Sequence, residues 1–273
     1  MKQCIVVIPI YKQLPDSSEF ASFRQVLKVL HQHDIALVTF RELDIAVYLN
    51  EARKLGKLLN IEYFDSSYFS SVTGYNRLCL DASFYKRFLS YEYMLIYQLD
   101  AWVFRDELEY WCNQGYDYIG APWFTNYGGY EDGDKLWYVG NGGFSLRKNA
   151  FLYQLLSYKW PLSCHIDLKN GLKGLFKSLL KSMGYHNTIK WHIETDFQFI
   201  NEDRFFTNHI KNISNKTFLY PTTPSVEVAA KFSFEKSPSY LYQLCGNRLP
   251  FGCHAFMKCE YESFWKEYIK IDE

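Results

Sequence analysis

The chain lacks an excess of charge of either sign. Its 273 residues include 30 basic and 30 acidic side chains, which leave a formal net charge of zero at pH 7. A neutral chain has no general attraction for nucleic acid or for an anionic membrane. Any such preference must therefore come from a local cluster of charge.

The chain also lacks segments that direct a protein into or across a membrane. Its amino terminus leads directly into a short apolar run without a signal-peptide pattern. No apolar run approaches the roughly 20 residues of a transmembrane helix. The seven cysteines include no CxxC pair, as is typical of reduced thiols. We expect a cytoplasmic protein with a single domain over residues 1–273, because no linker or repeat divides the chain.

Two common phosphate-binding motifs are absent. The first apolar run is followed by Tyr11 and Lys12 rather than by GxGxxG, which disfavours a dehydrogenase. There is no GxxxxGK(S/T) loop either, which excludes the commonest phosphoryl-transfer architecture. Among nucleotide-binding folds, this leaves one that holds a nucleotide diphosphate through a metal ion.

Apolar runs and helical patterns alternate in the first half of the chain. The apolar runs cover 4–10, 35–40 and 61–64, and helical spacing covers 44–60 and about 78–91. With the run described next, this order predicts an α/β fold with four parallel strands in the first hundred residues. The second half is more irregular and ends in a predicted helix over about 260–270.

The apolar run 93–104 carries the strongest functional signal. It predicts a buried central strand with Asp100 near its carboxyl end. Ligands bind at that edge of an open α/β sheet, and a carboxylate there must be solvated, paired or bound to a metal. Asp100 is therefore the candidate metal anchor, as one carboxylate of a shortened DxD element whose third position is Trp102.

Five segments together resemble a known family. They are 98–104 (QLDAWVF), 115–123 (GYDYIGAPW), 140–147 (GNGGFSLR), 201–206 (NEDRFF) and 250–256 (PFGCHAF). Their order and spacing resemble bacterial GT-A-like glycosyltransferases of surface-polysaccharide gene clusters, a family formerly classed as a domain of unknown function. The resemblance extends from about Tyr63 to Phe256.

The resemblance implies a Rossmann-type nucleotide-binding half over 1–104 and a more irregular acceptor-binding half over 105–273. It implies transfer of a sugar from a nucleotide-sugar donor, with a UDP-sugar expected, to a carbohydrate or lipid-linked glycan acceptor. A divalent metal would take part, held by Asp100 and His254. A carboxylate and an imidazole, completed by diphosphate oxygens and water, suit Mn²⁺ better than Mg²⁺.

The resemblance further favours Asp203 as the general base of an inverting transferase, with Glu202 binding the acceptor. Such a base takes the proton of the acceptor hydroxyl as the anomeric carbon is attacked. Capping of a helix is the alternative for both residues. Further candidate bases in the second half are Glu194, Asp196 and Glu235.

Two alternatives apply to His254. It is either a structural histidine or part of a zinc site with Cys245, Cys253 and Cys259, although these spacings lack the CxxC pair of structural zinc sites.

The donor nucleotide is expected near the ends of the first and third strands. The candidate residues there are Tyr11, Lys12, Phe64, Asp65, Asn76 and Arg77, together with Thr73 and Tyr75. Arg77 could pair with a phosphate, although all of these residues are equally well explained as surface polar groups.

The segment 140–147 is the candidate sugar contact. Gly142 and Gly143 would let the backbone approach a sugar ring, with Asn141 and Ser145 as hydrogen-bonding partners. A tight turn between strands is the alternative. Trp123 either stacks on a sugar or packs in the core.

A basic amphipathic helix is predicted over 169–184. Its lysines are Lys169, Lys173, Lys177 and Lys181, and its apolar side holds Leu172, Leu175, Phe176, Leu179, Leu180 and Met183. The apolar face either packs on the core or docks on an anionic membrane, which would make the protein peripheral to the inner face.

Two other functions compete with a glycosyltransferase. A sugar nucleotidyltransferase would need a Gly- and Arg/Lys-rich loop after the first strand, which 10–13 does not provide. In a non-catalytic carbohydrate-binding protein the aromatic residues would serve as stacking platforms, and the presence of both Asp100 and Asp203 argues against it.

Overall fold

The computed structural model describes residues 1–126, 130, 131, 133–159, 161, 162, 166–196, 201–213 and 219–271. At 196, 212 and 213 the description covers the backbone alone.

Eleven strands are formed by these residues. They are β1 (Lys2–Pro9), β2 (Asp34–Thr39), β3 (Asn60–Tyr63), β4 (Tyr91–Tyr97), β5 (Trp102–Val103), β6 (Tyr118–Ile119), β7 (Pro122–Phe124), β8 (Leu136–Val139), β9 (Phe144–Lys148), β10 (Ser233–Phe234) and β11 (Gly252–Cys253). The largest sheet has the order β3-β2-β1-β4-β9-β6. Strands β1 to β4 are mutually parallel, as predicted, and β9 runs antiparallel to β4 and β6. Since β6 and β9 belong to this sheet, the two predicted halves of the chain share it.

The α-helices are α1 (Ser17–Val29), α2 (Ala46–Lys54), α3 (Val72–Cys79), α4 (Ala82–Arg87), α5 (Leu108–Asn113), α6 (Asn149–Leu156), α7 (Gly171–Ser182), α8 (Ile189–Asp196), α9 (Glu202–Arg204), α10 (Ile210–Ile213), α11 (Val226–Phe232), α12 (Pro238–Leu244) and α13 (Lys266–Tyr268). A 3₁₀ helix covers Ser66–Phe69, and π-helical turns cover Phe205–His209 and Tyr261–Trp265. None of the described helices is long and apolar enough to cross a membrane.

Helices cover both faces of the large sheet because the central strands are apolar on both sides. Val6 and Ile8 of β1 belong to a core cluster with residues of α1, α2 and α5. Ile5 and Val7 point to the opposite face and join residues of α3, α4 and α6. Alternating side chains of one strand thus serve two cores, as expected for parallel strands buried on both faces.

The run 93–104 is not one strand, contrary to the prediction. Strand β4 ends at Tyr97, and the amide of Ala101 donates to the carbonyl of Gln98 in a turn (2.9 Å). The chain then enters β5, which belongs to a separate sheet with the order β10-β11-β5. Asp100 therefore lies in the turn beyond the carboxyl end of β4, between two sheets.

Two predicted helices are also interrupted. Asp81 accepts a hydrogen bond from the amide of Ser83 and starts α4, so the pattern over 78–91 falls on the end of α3 and on α4. The predicted helix over 260–270 begins as the π-helical turn and continues as α13. The helix predicted over 44–60 ends at Lys54, and β3 begins at Asn60.

Helix α7 confirms the predicted basic amphipathic helix. Its buried residues are Gly174 and Ser178, whereas Leu172, Phe176 and Leu179 are exposed. The interpretation that its apolar face packs on the core is therefore wrong.

Candidate functional site

Asp100 and His254 form an ion pair at the edge where the two sheets meet. The Nε2 atom of His254 lies 3.0 Å from Oδ1 of Asp100, and Nζ of Lys258 lies 3.0 Å from Oδ2. On the other side of the ring, Nδ1 of His254 lies 3.3 Å from Oε1 of Glu235. The three acidic and imidazole side chains are largely, although not fully, buried. A residue pair predicted from sequence thus meets in space.

The small sheet explains this meeting. Phe234 of β10 pairs with Cys253 of the parallel strand β11, so the residues that follow, Glu235 and His254, become neighbours. Cys253 also pairs with Trp102 of the antiparallel strand β5, which brings the turn at Asp100 alongside. The position of His254 is fixed by its amide, which donates to the carbonyl of Phe234 (2.9 Å).

The ion pair changes the ionisation of both partners. Burial alone would raise the pKa of Asp100, but His254 and Lys258 outweigh it and hold this pKa below its usual range. Burial lowers the pKa of His254, yet the charge of Asp100 and the contact with Glu235 raise it to about 10. At neutral pH the pair is therefore a carboxylate and an imidazolium.

A carboxylate and an imidazole suit a divalent metal in their chemistry, and His254 must lose its proton to become a ligand. The two atoms that would hold the ion, Asp100 Oδ1 and His254 Nε2, lie 3.0 Å apart as an ion pair. Across the described residues, no group of three or more His, Cys, Asp or Glu side chains could hold a metal without other ligands. The protein would thus supply two ligands. The same finding removes the zinc site with Cys245, Cys253 and Cys259, all of which are described.

Glu202 is held by a buried arginine. The Oε1 atom of Glu202 lies 2.8 Å from Nη2 of Arg147, whose side chain is 0% exposed. Arg147 also donates to Ser145 Oγ (3.0 Å) and to the hydroxyl of Tyr85 (3.1 Å). A buried charge without a partner is very costly, so this ion pair fixes the carboxylate in one position.

Asn76 belongs to the same network. Its Oδ1 accepts the amide of Glu202 (3.0 Å), and its Nδ2 donates to Asn201 Oδ1 (3.3 Å). Asn76, a predicted nucleotide contact, is thus buried and hydrogen-bonded to the backbone of Glu202.

Asp203 is buried against the segment 140–147. Its Oδ2 accepts the amide of Asn141 (2.8 Å), and its Oδ1 accepts the amide of Arg204 (2.7 Å). Burial and the charges of Glu202 and Glu235 raise the pKa of Asp203 to about 7, although the two amides lower it. A carboxylate of this kind accepts a proton far more readily than an exposed aspartate.

Residues 140–143 form a tight turn between β8 and β9, as one of the two interpretations held. Asn141 has a left-handed φ of 70°, and its Oδ1 accepts the amide of Gly143 (2.9 Å). The carbonyl of Gly143 accepts the amide of Gln98, which joins the turn to the end of β4 (2.8 Å).

The glycines of this turn make room for the candidate functional side chains. A Cβ atom on Gly142 would collide with the carboxylate of Glu202, and one on Gly143 would collide with the imidazole of His254. The sequence argument left a sugar contact and a tight turn as alternatives, and in the structure two protein side chains lie against the two glycines. The turn therefore holds the acidic pair and the histidine together.

This contact predicts a large effect of Gly143→Ala. The methyl group would displace His254, so metal-dependent donor binding should weaken at least about tenfold, and overpacking should cost about 1–3 kcal/mol of unfolding free energy. Gly56→Ala is the matched control, since Gly56 has a φ of 68° and open space around it. That change should cost about 1–2 kcal/mol from backbone strain alone and leave donor binding unchanged. Calorimetric titration and chemical denaturation measure both; unaltered donor binding by Gly143→Ala would contradict the assigned contact.

The other predicted residues divide between two places. Tyr11 lies near the ion pair: burial and Glu19 raise the pKa of its hydroxyl, and the charges of Asp100 and Lys258 also act on it. Lys12 pairs with Glu19 at the start of α1 (2.5 Å).

Trp123 is half-buried and stacks on Tyr138, with ring centroids 5.7 Å apart. Its ring lies against Gly140, where a Cβ would collide with it.

Phe64 and Asp65 line a separate cavity. It has a volume of about 430 Å³ and lies at the ends of β2 and β3, lined by Arg41, Glu42, Tyr63, Phe64, Asp65, Ser66, Ser83 and Arg87. It shares no residue with the cluster around Asp100. Asp65 also accepts the amide of Ser67 and caps the 3₁₀ helix. Arg77 and Thr73 are exposed on α3.

Sequence reasoning missed Arg147, Gln98 and Lys258. The carbonyl oxygen Oε1 of Gln98 lies 3.3 Å from Nε2 of His254. Arg147 stood inside a recognised motif, and an arginine in an apolar strand was the available signal. Lys258 had no signal, because only the tertiary structure brings it to Asp100. The candidate base Asp196 lies outside the described side chains, while Glu194 is exposed on α8 and pairs with Lys190.

One family of proteins matches the sequence. The model of DUF5672, described as a protein of unknown function, covers residues 58–254. No curated protein matches the chain.

Several solved structures are similar in fold. The glycosyltransferase GlyE of Streptococcus pneumoniae TIGR4 is 13% identical with a TM-score of 0.48; the match covers 99% of this chain, which spans 61% of GlyE. A glycosyltransferase involved in glycosylation of the major capsid of PBCV-1 is 10% identical, with a TM-score of 0.39 and 92% of both chains covered. Core-mannan synthase A of Aspergillus fumigatus, in an Mn/GDP form, is 9% identical with a TM-score of 0.37, covering 84% and 82%. The mixed α/β sheet agrees with the predicted fold class.

Proposed function

We propose that this chain, which belongs to the protein family of unknown function DUF5672, is a metal-dependent, inverting glycosyltransferase. It moves a sugar from a nucleotide-sugar donor, a UDP-sugar by expectation, to a carbohydrate or lipid-linked glycan. We place this reaction in the synthesis of a surface polysaccharide on the cytoplasmic side of the membrane. The proposal rests on one observation above all: the Asp100–His254 pair and the buried Glu202–Asp203 pair meet on the two sides of one glycine turn.

The donor side of the proposed site is the ion pair. When bound there, Mn²⁺ or Mg²⁺ would neutralise the charge of the leaving nucleotide diphosphate. Asp100 and His254 would hold the ion. Lys258, whose side chain is largely exposed, adds a positive charge beside Asp100 that suits a diphosphate. Glu235 holds the imidazole from its far side.

The acceptor side is the buried acidic pair. Asp203 takes the proton of the attacking acceptor hydroxyl, which increases the nucleophilicity of that oxygen toward the anomeric carbon. Its raised pKa makes it a better base than an ordinary aspartate, and a base with a pKa near the working pH is the most effective. The ion pair with Arg147 fixes Glu202 in place, so that Glu202 can accept a hydrogen bond from another hydroxyl of the acceptor.

The direct test is a panel of nucleotide sugars. Purified protein is incubated with each donor with and without Mn²⁺, and release of nucleotide diphosphate is measured. We expect release from one donor class, dependent on the metal and increased by acceptor, with inversion of the anomeric configuration in the product. Release of pyrophosphate from a sugar phosphate and a nucleoside triphosphate would instead identify a nucleotidyltransferase. Donor or glycan binding without any release would identify a carbohydrate-binding protein.

A further inference from the structure

Helix α7 presents the largest exposed group of apolar side chains on the described surface. Seventeen large apolar residues are exposed in the described part of the chain, and eight of them lie between 166 and 185. They are Ile166, Leu168, Leu172, Leu175, Phe176, Leu179, Met183 and Tyr185. We call these eight side chains the α7 apolar face. Soluble proteins rarely expose so many neighbouring apolar groups unless the surface binds something.

The smallest residues of the helix are covered by the segment that directly precedes it. Ser178 Oγ accepts the amide of Asp167 (2.9 Å), and a Cβ on Gly174 would collide with the Asp167 carbonyl. The close approach of this side of the helix leaves Leu172, which is 86% exposed, and Phe176, which is 63% exposed, on the outside. The orientation of α7 thus exposes the residues that an ordinary amphipathic helix would bury.

The charge around the apolar face is mainly positive, with Asp167 as the one acidic residue in 166–193. Residues 168–193 contain five lysines and no acidic residue, although the whole chain is neutral. Lys169, Lys173 and Lys177 are exposed and follow one side of the helix next to the apolar face. Lysine stems can lie along an apolar surface while their ammonium groups reach outward to anions.

We propose that α7 docks the protein on an anionic membrane surface. The apolar face would enter the boundary between headgroups and acyl chains, and the lysines would contact anionic headgroups. A second copy of the chain fits less well, because it would bring the same lysine-rich segment, with Asp167 as its one acidic residue, against itself. This surface does not depend on the proposed catalytic function, so the two proposals fail separately.

The test is sedimentation with vesicles of phosphatidylcholine alone or with about one third phosphatidylglycerol. Wild type should bind the anionic vesicles and bind neutral vesicles weakly. The triple variant Lys169→Gln, Lys173→Gln, Lys177→Gln should bind the anionic vesicles about 100-fold more weakly, since each lysine near the surface contributes about fivefold. The matched control is Lys28→Gln, Lys86→Gln, Lys231→Gln, which removes three exposed lysines elsewhere and should bind almost as wild type does.

A second pair of variants tests the apolar contribution. Leu172→Ser with Phe176→Ser should weaken binding at least about tenfold at equal charge. Leu14→Ser with Leu58→Ser removes two exposed leucines elsewhere and should leave binding unchanged. All of these positions are exposed, and circular dichroism and sugar transfer to a soluble acceptor check that the variants fold. Equal vesicle binding by wild type and both α7 variants would overturn the proposal. The proposal would also be overturned if wild type did not bind vesicles and formed a dimer in sedimentation velocity that the Leu172→Ser, Phe176→Ser variant did not form.

Discussion

Asp100→Ala should abolish sugar transfer, with a loss of at least about 10³-fold in kcat/KM. The carboxylate contacts both His254 and Lys258, so its removal takes away one proposed metal ligand and the main partner of the imidazole. Mn²⁺-dependent binding of the donor, measured by titration calorimetry, should fall together with transfer. His254→Ala should have the same effect less completely, because the carboxylate remains.

A second His–Asp pair in the chain provides the control. Nε2 of His33 lies 2.9 Å from Oδ2 of Asp106, whose Oδ1 accepts the amide of Leu108 at the start of α5. Asp106→Ala removes a carboxylate from a pair of the same kind and should leave donor binding unchanged. Thermal unfolding checks that both variants fold. Full activity of Asp100→Ala in buffer treated with a chelator would refute the metal hypothesis.

Asp203→Asn should lower the turnover rate by roughly 10²- to 10⁴-fold with donor affinity nearly unchanged. The amide keeps the shape of the side chain but cannot take a proton. In Asp203 each carboxylate oxygen accepts a backbone amide, from Asn141 and from Arg204. The NH₂ group of the asparagine would replace one of these acceptors, and the lost hydrogen bond should lower the free energy of unfolding by about 1–3 kcal/mol. Glu202→Gln should have the milder effect.

The control is Asp117→Asn, since Asp117 is another buried carboxylate and accepts from the amide and hydroxyl of Thr222. It should lose stability without a comparable loss of turnover. Glu235→Gln identifies the competing base. A loss of turnover in Glu235→Gln together with near-normal turnover in Asp203→Asn would move the base to Glu235. A product that retains the anomeric configuration of the donor would contradict the inverting mechanism itself.

The pH profile adds a second readout to the Asp203→Asn test. The base must be ionised, so kcat/KM of the free enzyme should rise with pH and level off above the raised pKa, near 7. For stability the sign is opposite. The folded state binds this proton more tightly than the unfolded state, so the contribution of Asp203 falls as pH rises from about 4 toward 7. Asp203→Asn should remove both dependences.

The sequence determined the elements with a strong local pattern. The alternation of apolar runs and helical spacing gave the four parallel strands, and the lysine and leucine spacing gave α7. Each signal is local, because the burial of a strand or of one helix face determines which of its consecutive residues are apolar. The family motifs also named Asp100, Glu202, Asp203 and His254. The resemblance also paired Asp100 with His254, whereas the contacts of both residues with Lys258 and Glu235 had no signal in the sequence.

The tertiary structure decided those contacts. Strand β4 ends before Gln98, so Asp100 lies in the turn that leads into the small sheet. In that sheet, the residues that follow β10 and β11 are Glu235 and His254. The space next to Gly142 and Gly143 was given to Glu202 and His254, which no spacing rule distinguishes from space for a sugar. The exposure of the α7 apolar face was likewise a tertiary result, since the same pattern is compatible with a buried helix. Packing across distant segments, and not local periodicity, sets which polar groups meet and which apolar groups remain in water.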